Sequence, residues 1–195
     1  MGFTPGTNPP DMTERGRVTS AGPALSKEMY LETTREITMN ARIDFGGSEI
    51  LQKFAKRLVA ASAAVPEGTL PLATQNLVLT RASQINGCAV CVDMHTKDAE
   101  HAGETSVRLN LVAAWRDANV FTDAERAALE LAEQGTRIAD GAGGVTDEAW
   151  ANAAKYYDAE QLAALVCAIA GINTWNRLNV MCQNQGGDYQ PGQWS

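Results

Sequence analysis

Apolar side chains recur at spacings of three and four from about Leu25 onward, and no segment shows the strict alternation of a half-buried strand. The pattern predicts an all-α fold, a single-domain helical bundle. Ile50, Leu51, Phe54, Leu58 and Val59 form one apolar stripe, and the helix ends before the breaker cluster Val65-Pro66-Glu67-Gly68. A second helix is predicted over Leu70–Ile85. Asn86-Gly87 favours positive φ, so the chain should turn there and begin a new helix at Cys88 that runs to about Gly103. From about Glu104 to Ala118 a further helix is expected to carry Val107, Leu111, Val112 and Trp115 inward.

Thr122-Asp123-Ala124-Glu125 has the spacing of a capping box, in which the Thr122 hydroxyl and the Glu125 carboxylate each take the other's backbone N–H. A helix to about Asp140 should follow. After the linker Gly141-Ala142-Gly143-Gly144, Thr146-Asp147 should cap a short helix through Tyr156. Asp158-Ala159-Glu160-Gln161 then opens a long helix that includes LAALVCAIAGINTWNRLNVMC and ends near Cys182. That helix is apolar on most sides, as a central or an interface helix would be.

The ends differ from this periodic middle. Residues 1–23 are rich in Pro, Gly, Thr and charge and read as a disordered arm, residues 24–183 as the helical domain, and residues 184–195 as an irregular polar tail. At 195 residues, 45% hydrophobic and 20% charged, the chain suits one globular domain. Its net charge of −7 repels phosphate backbones and anionic lipid, so nucleic-acid and membrane-surface partners are not expected. No apolar run reaches the roughly 20 residues of a membrane span. The first residues lack the apolar centre of a secretory signal, which makes the cytoplasm the expected location. In that reducing compartment a cysteine pair is more often redox-active or metal-binding than structural.

The stretch SQINGCAVCVDMHTKDAEHAG, Ser83 to Gly103, holds two of the four cysteines and both histidines. Cys88, Cys91 and His95 fall within about 60° on one helical face, so their side chains can meet. Cys88 is expected in the first helical turn, where unpaired amides and the positive dipole end favour a thiolate, with Cys91 one turn in and His95 a further turn along as base or imidazolium partner. A second thiol in reach can condense with a sulfenic acid to a disulfide that an external dithiol reopens. Zinc would need further ligands that the sequence does not offer, and a c-type haem would need His where Val92 stands. No metal or resident cofactor is expected. Two inert core cysteines are the alternative reading.

These residues, with the Trp115 segment, FTDAERAALELAE and the late INTWNRL, resemble the alkyl hydroperoxidase D / carboxymuconolactone decarboxylase family over about residues 45 to 183. The resemblance implies an all-α fold, self-association as trimers or hexamers, and reduction of small hydroperoxides by a cysteine pair. A dithiol protein or a lipoyl-type donor would recycle the pair. It makes Cys91 the peroxidatic thiol, Cys88 the resolving one and His95 the proton relay. The same family also contains lyases acting on small lactone acids, and a non-enzymatic redox sensor is a third reading. Two positions depart from the pattern: the relay glutamate is replaced by Asn76 and the histidine before the second cysteine by Val90. Asn cannot take up a proton, and Asp98, one turn after His95, either orients the imidazole instead or, the reading its position favours, is a solvated helix carboxylate.

Other residues read more quietly. His101 lies well round the helix from His95 and is expected at the surface; Cys167, among aliphatic residues, is expected to be buried, and Cys182 partly exposed. Asn173, Asn176 and Arg177 either line the redox pocket, hold a subunit contact or form a solvated face. Trp115, Trp150 and Trp175 read as core or interface aromatics.

Overall fold

The structure, a computed structural model, describes residues 41–141 and 143–193. The arm assigned to residues 1–23 and the first periodic residues after it lie outside the described part. The described residues form seven helices and no strands: α1 Glu49–Ser62, α2 Leu72–Asn86, α3 Ala89–His101, α4 Ser106–Leu111, α5 Asp123–Thr136, α6 Asp147–Ala153 and α7 Ala159–Cys182, with a 3₁₀ segment at Val112–Asp117 after α4.

The helix starts follow from local chemistry. Ser48, Thr105, Thr122, Thr146 and Asp158 each accept a first-turn amide hydrogen bond through the side chain, and α5 and α7 both open with complete capping boxes. Gly87 ends α2 in the left-handed region at φ 66°, and its amide together with that of Cys88 returns to the last carbonyls of α2. This is the turn that Asn86-Gly87 foretold.

α2 lies at the centre, packed against α7, α5 and α3. Val78, Leu131, Leu165 and Ile169 fill the main core, while Leu77, Val112, Trp115, Phe121 and Leu129 fill a second layer. The alanines of α5 allow close helix approach. At Gly135 a Cβ would come within 3.0 Å of the Ile169 side chain, so this position admits little more than hydrogen.

Several expectations are corrected. The helix expected over Glu104–Ala118 is broken: α4 has only six residues, and Ala114 leaves helical geometry at φ −120°. That break changes the facing of the two pieces, so Leu109, Val112 and Trp115 are buried while Val107 points outward. The α1 stripe is largely uncovered, with Ile50 78%, Phe54 47% and Val59 55% exposed, and among the described elements α7 is the one that packs substantially on α1. Cys167 lies on the outer side of α7 and is exposed, whereas Cys182 at its end is buried. Trp150 is likewise exposed, Trp115 is buried, and Trp175 is partly buried against the cysteines. No helix among the described residues is long and apolar enough to cross a membrane.

Candidate functional site

The site is built on the α2–α3 turn. Cys88 does not start the helix as expected. It is the residue just before it, with extended φ and ψ, and Ala89 is the first helical residue. Cys91 is therefore third in α3, inside the turn whose amides lack helical acceptors and whose dipole end favours negative charge. The two cysteines are joined by a disulfide, with their Cα atoms 5.4 Å apart. Both are almost completely buried, at 1% and 2% exposure, in a cluster with Ala82, Val90 and Ile172 and the edge of Trp175.

His95 follows one turn after Cys91 on the same face. Burial pushes its pKa down to about 4, partly countered by the nearby Asp98 carboxylate. In the disulfide form the ring is thus neutral at physiological pH, and its Nε2 is buried without a hydrogen-bond partner among the described residues. Thr80 Oγ1 and Gln84 Oε1 of α2 are in the same condition. Asn76 is also buried on α2 and shares a helical face with Thr80 and Ser83.

Asp98 is engaged elsewhere. It accepts from the Tyr189 hydroxyl at 2.9 and 3.0 Å and from the Gly192 amide at 3.2 Å, and among the described residues no hydrogen bond joins it to His95. It acts on the imidazole through its field rather than by direct orientation. Asp93, one turn from the cysteines, accepts from the Gly187 and Tyr189 amides and pairs with Lys97. Burial alone would raise the Asp93 carboxyl, but these bonds outweigh it and hold it below its ordinary value. Lys97 in turn donates to the carbonyls of Gly187 and Tyr189. The tail after α7 is irregular, as its composition implied, yet it is strapped across α3. At Gly186 a Cβ would lie 2.5 Å from the Ala89 carbonyl oxygen, so only glycine permits this approach.

α7 closes the site from the other side. Asn86 donates to the Oδ1 atoms of Asn173 at 2.9 Å and Asn176 at 2.8 Å, and Asn176 donates to Ser83 Oγ at 3.1 Å. These asparagines therefore clamp the end of α2, and with it the turn that presents Cys88, within one chain. Arg177 donates back to Asn173. Asn179 donates through Nδ2 to Cys91 Sγ at 3.5 Å, and Asn184 donates to Asn179 Oδ1 at 2.8 Å. Neither Asn179, Asn184 nor Tyr189 was indicated by local spacing. They come from a part of the chain about 90 residues away and meet the site only through the fold. His101 is exposed, as expected. No group of His, Cys, Asp and Glu among the described residues could hold a metal ion.

The seven helices among the described residues carry a buried Cys-x-x-Cys pair with a histidine one turn on, and comparison with known proteins puts this arrangement in the class of AhpD-like helical proteins. The sequence pattern of the carboxymuconolactone decarboxylase family matches residues 51–134. The uncharacterized protein YdfG of Bacillus subtilis is 35% identical over 147 residues, which span 75% of this chain and 97% of that protein. The crystal structure of an Agrobacterium tumefaciens protein of unknown function, described as an antioxidant-defence protein of the AhpD type, is 34% identical with a TM-score of 0.71 and covers 77% of this chain and 100% of its own. The debrominase Bmp8, solved with 2,3,4-tribromopyrrole, shares the fold at 18% identity and a TM-score of 0.62, over 70% of this chain and 72% of its own. The chain belongs to the carboxymuconolactone decarboxylase family.

Proposed function

We propose that the protein is a cysteine-pair peroxidase that reduces small hydroperoxides and is recycled by an external dithiol. The observation that carries this reading is the buried Cys88–Cys91 disulfide with His95 one turn along the same face. In the reduced protein the Cys91 thiolate gives its electron pair to the distal oxygen of the hydroperoxide. The O–O bond breaks, Cys91 becomes a sulfenic acid, and the departing alkoxide takes a proton to leave as an alcohol. Cys88 then attacks that sulfur, the disulfide forms, and the sulfenic hydroxyl leaves as water with the Cys88 proton. A dithiol donates two electrons and two protons to restore both thiols, itself becoming a disulfide.

In the reduced protein a Cys91 thiolate one turn away would raise the His95 pKa above its value in the disulfide form, and the ring could then take the Cys91 proton and return it to the leaving oxygen. With Asn76 where the resemblance places a carboxylate, that proton has no acidic relay at this position. The burial of both sulfurs favours a small peroxide, and it favours a reductant with a slender reactive end, such as a lipoyl arm, or a protein dithiol able to shift the tail. Self-association through the uncovered apolar side chains of α1 and α7, among them Ile50, Phe54, Val166 and Met181, is part of the same reading.

Steady-state turnover of cumene hydroperoxide or hydrogen peroxide with a dithiol is the test. Turnover should fall to background in Cys91→Ser. Stoichiometric oxidation of the pair without turnover would replace the enzyme by a thiol redox sensor, and peroxide consumption that survives Cys91→Ser would remove the site assignment altogether.

A further inference from the structure

The Cys91 sulfur receives a hydrogen bond from a residue that lies outside the Cys-x-x-Cys-x-x-x-His pattern. Asn179, near the end of α7, has one Nδ2 proton on the Trp175 carbonyl at 3.0 Å and directs the other to Cys91 Sγ at 3.5 Å. The amide orientation is fixed by its surroundings: a backbone carbonyl can only accept, so the nitrogen must face Trp175, and the same nitrogen faces the sulfur. Asn184 donates to Asn179 Oδ1 at 2.8 Å and holds the group from its other side. The helix ends at this contact. Gln183 adopts a left-handed conformation at φ 57°, uncommon for a residue with a side chain, and the Asn184 amide returns to the Asn179 carbonyl at 3.0 Å.

From this geometry we infer that Asn179 is the donor that holds the Cys91 thiolate, and that Asn184 is the positioning residue that keeps it aimed. The inference rests on the peroxidase reading for its purpose, but the contact itself concerns only the sulfur. A disulfide sulfur is a weak acceptor and a thiolate a strong one, so the bond gains strength when the pair is reduced and Cys91 ionises. Both Nδ2 protons are spoken for, one by Trp175 and one by Cys91, so the effect falls on Cys91 and not on Cys88. Selection of the attacking thiol thus comes from α7 as well as from the position of Cys91 in the first turn of α3.

The charged and titratable groups around the sulfur leave room for this effect. On α3, His95 is neutral in the disulfide form and Asp98 is tied to Tyr189; from the tail, Tyr189 is a phenol whose pKa burial and Asp98 push up. On α7, the nearest cation, Arg177, is turned to Asn173, while α2 offers the uncharged Ser83 and Asn86 at this end, and Lys97 is held by Asp93 and the tail. No cation among these groups has a hydrogen bond or ion pair to Cys91, so a neutral donor is the group in contact with it.

The experiment is the pH dependence of alkylation of the reduced protein by iodoacetamide, resolved to the Cys91 and Cys88 peptides by mass spectrometry. Asn179→Leu should raise the Cys91 pKa by about one unit, a roughly tenfold loss of thiolate below it, and Asn179→Asp should raise it further. Cys88 should keep its pKa in both. Asn179→Ser, which retains a donor, should recover part of the shift, and Asn184→Ala should produce a smaller one. An unchanged Cys91 pKa in both Leu and Asp variants would overturn the inference. If these variants do not fold, the wild-type protein answers alone: the side-chain amide resonance of Asn179 should move with the Cys91 titration in the reduced form and stay fixed in the disulfide form, and a resonance indifferent to that titration would refute the contact. Absence of peroxide turnover with the pKa shifts intact would instead remove the peroxidase reading and leave the donor in place.

Discussion

On the side of α2 that meets α5, Arg81 donates to Glu133 through Nε at 2.7 Å, and the same carboxylate takes the Trp115 indole at 3.0 Å and Arg116 at 2.8 Å. Around the α2–α3 turn, Thr80, Gln84 and His95 each keep a buried polar atom without a partner among the described residues. Both regions bury polarity on the same central helix. The first is satisfied and holds helices together. The second has three buried polar atoms with no protein partner among the described residues, one of them on His95, a turn after Cys91. The two regions also differ in what satisfies their paired groups: ion pairs and an indole beside α5, and side-chain amides and hydroxyls at the end of α2 that holds the cysteine turn.

The contrast can be broken from either end. The largest effect is expected at Glu133, whose carboxylate lies below its ordinary pKa because bonds from Trp115, Arg81 and Arg116 outweigh the opposing effect of burial. Glu133→Leu leaves the mostly buried Arg81 unpaired and should cost about 3 kcal/mol in urea unfolding while the thiols keep their reactivity. A loss of thiol reactivity at unchanged stability would erase the distinction between the two sides.

An intermediate effect belongs to His95. Its folded pKa of about 4 is below the unfolded value, so the unfolded chain binds the extra proton and stability falls as pH drops from about 6.5 towards 4, being fully present above that window. In the disulfide form the His95 ring proton resonances should show no midpoint between pH 6 and 8, and His95→Asn should flatten the stability profile in this window. Glu133 and Asp93, depressed carboxylates, lose their contribution only at lower pH, as pH falls through their folded values. A ring midpoint near 6.5 would mean that His95 is solvated.

The smallest effect is at Thr80. Its hydroxyl has no partner among the described residues, so Thr80→Val should be neutral or stabilising by up to about 1 kcal/mol on thermal unfolding. If the hydroxyl serves proton movement, peroxide turnover should nonetheless slow. A clear loss of stability would place Thr80 with the structural network beside α5.

What the sequence made legible is what short range determines. The capping boxes at Thr122 and Asp158, the glycine turn at Gly87 and the common face of Cys88, Cys91 and His95 each depend on residues within a few positions of one another. The remainder depends on placement. Periodicity could not show that Ala114 breaks a helix, that the α1 stripe is largely exposed, or that Cys167 and Cys182 exchange their expected surroundings. Nor could composition show that a polar tail with Gly and Pro is fixed by Asp93, Lys97 and Asp98. The polar character was read correctly, but its partners lie on α3 and the pairing is tertiary. The asparagines of α7 gave a partial signal, since amides in an apolar helix call for partners. That signal points to Asn173 and Asn176 but does not single out Asn179.

The strap has a consequence for the order in which the chain is made. Cys91 precedes Asn179 by 88 positions, and Asp98 precedes Tyr189 by 91. At a synthesis rate of about 5–20 residues per second, the thiol pair leads its cover by roughly 5 to 20 s. During that interval the α2–α3 hairpin can form, because its turn and caps are local, but α7 and the tail have not yet been added. A nascent chain at this stage holds two thiols that are paired in sequence and unshielded in space. Ribosome-bound chains ending before α7 should therefore react with bulky maleimides at both cysteines, and protection should arrive in one step as the tail is completed.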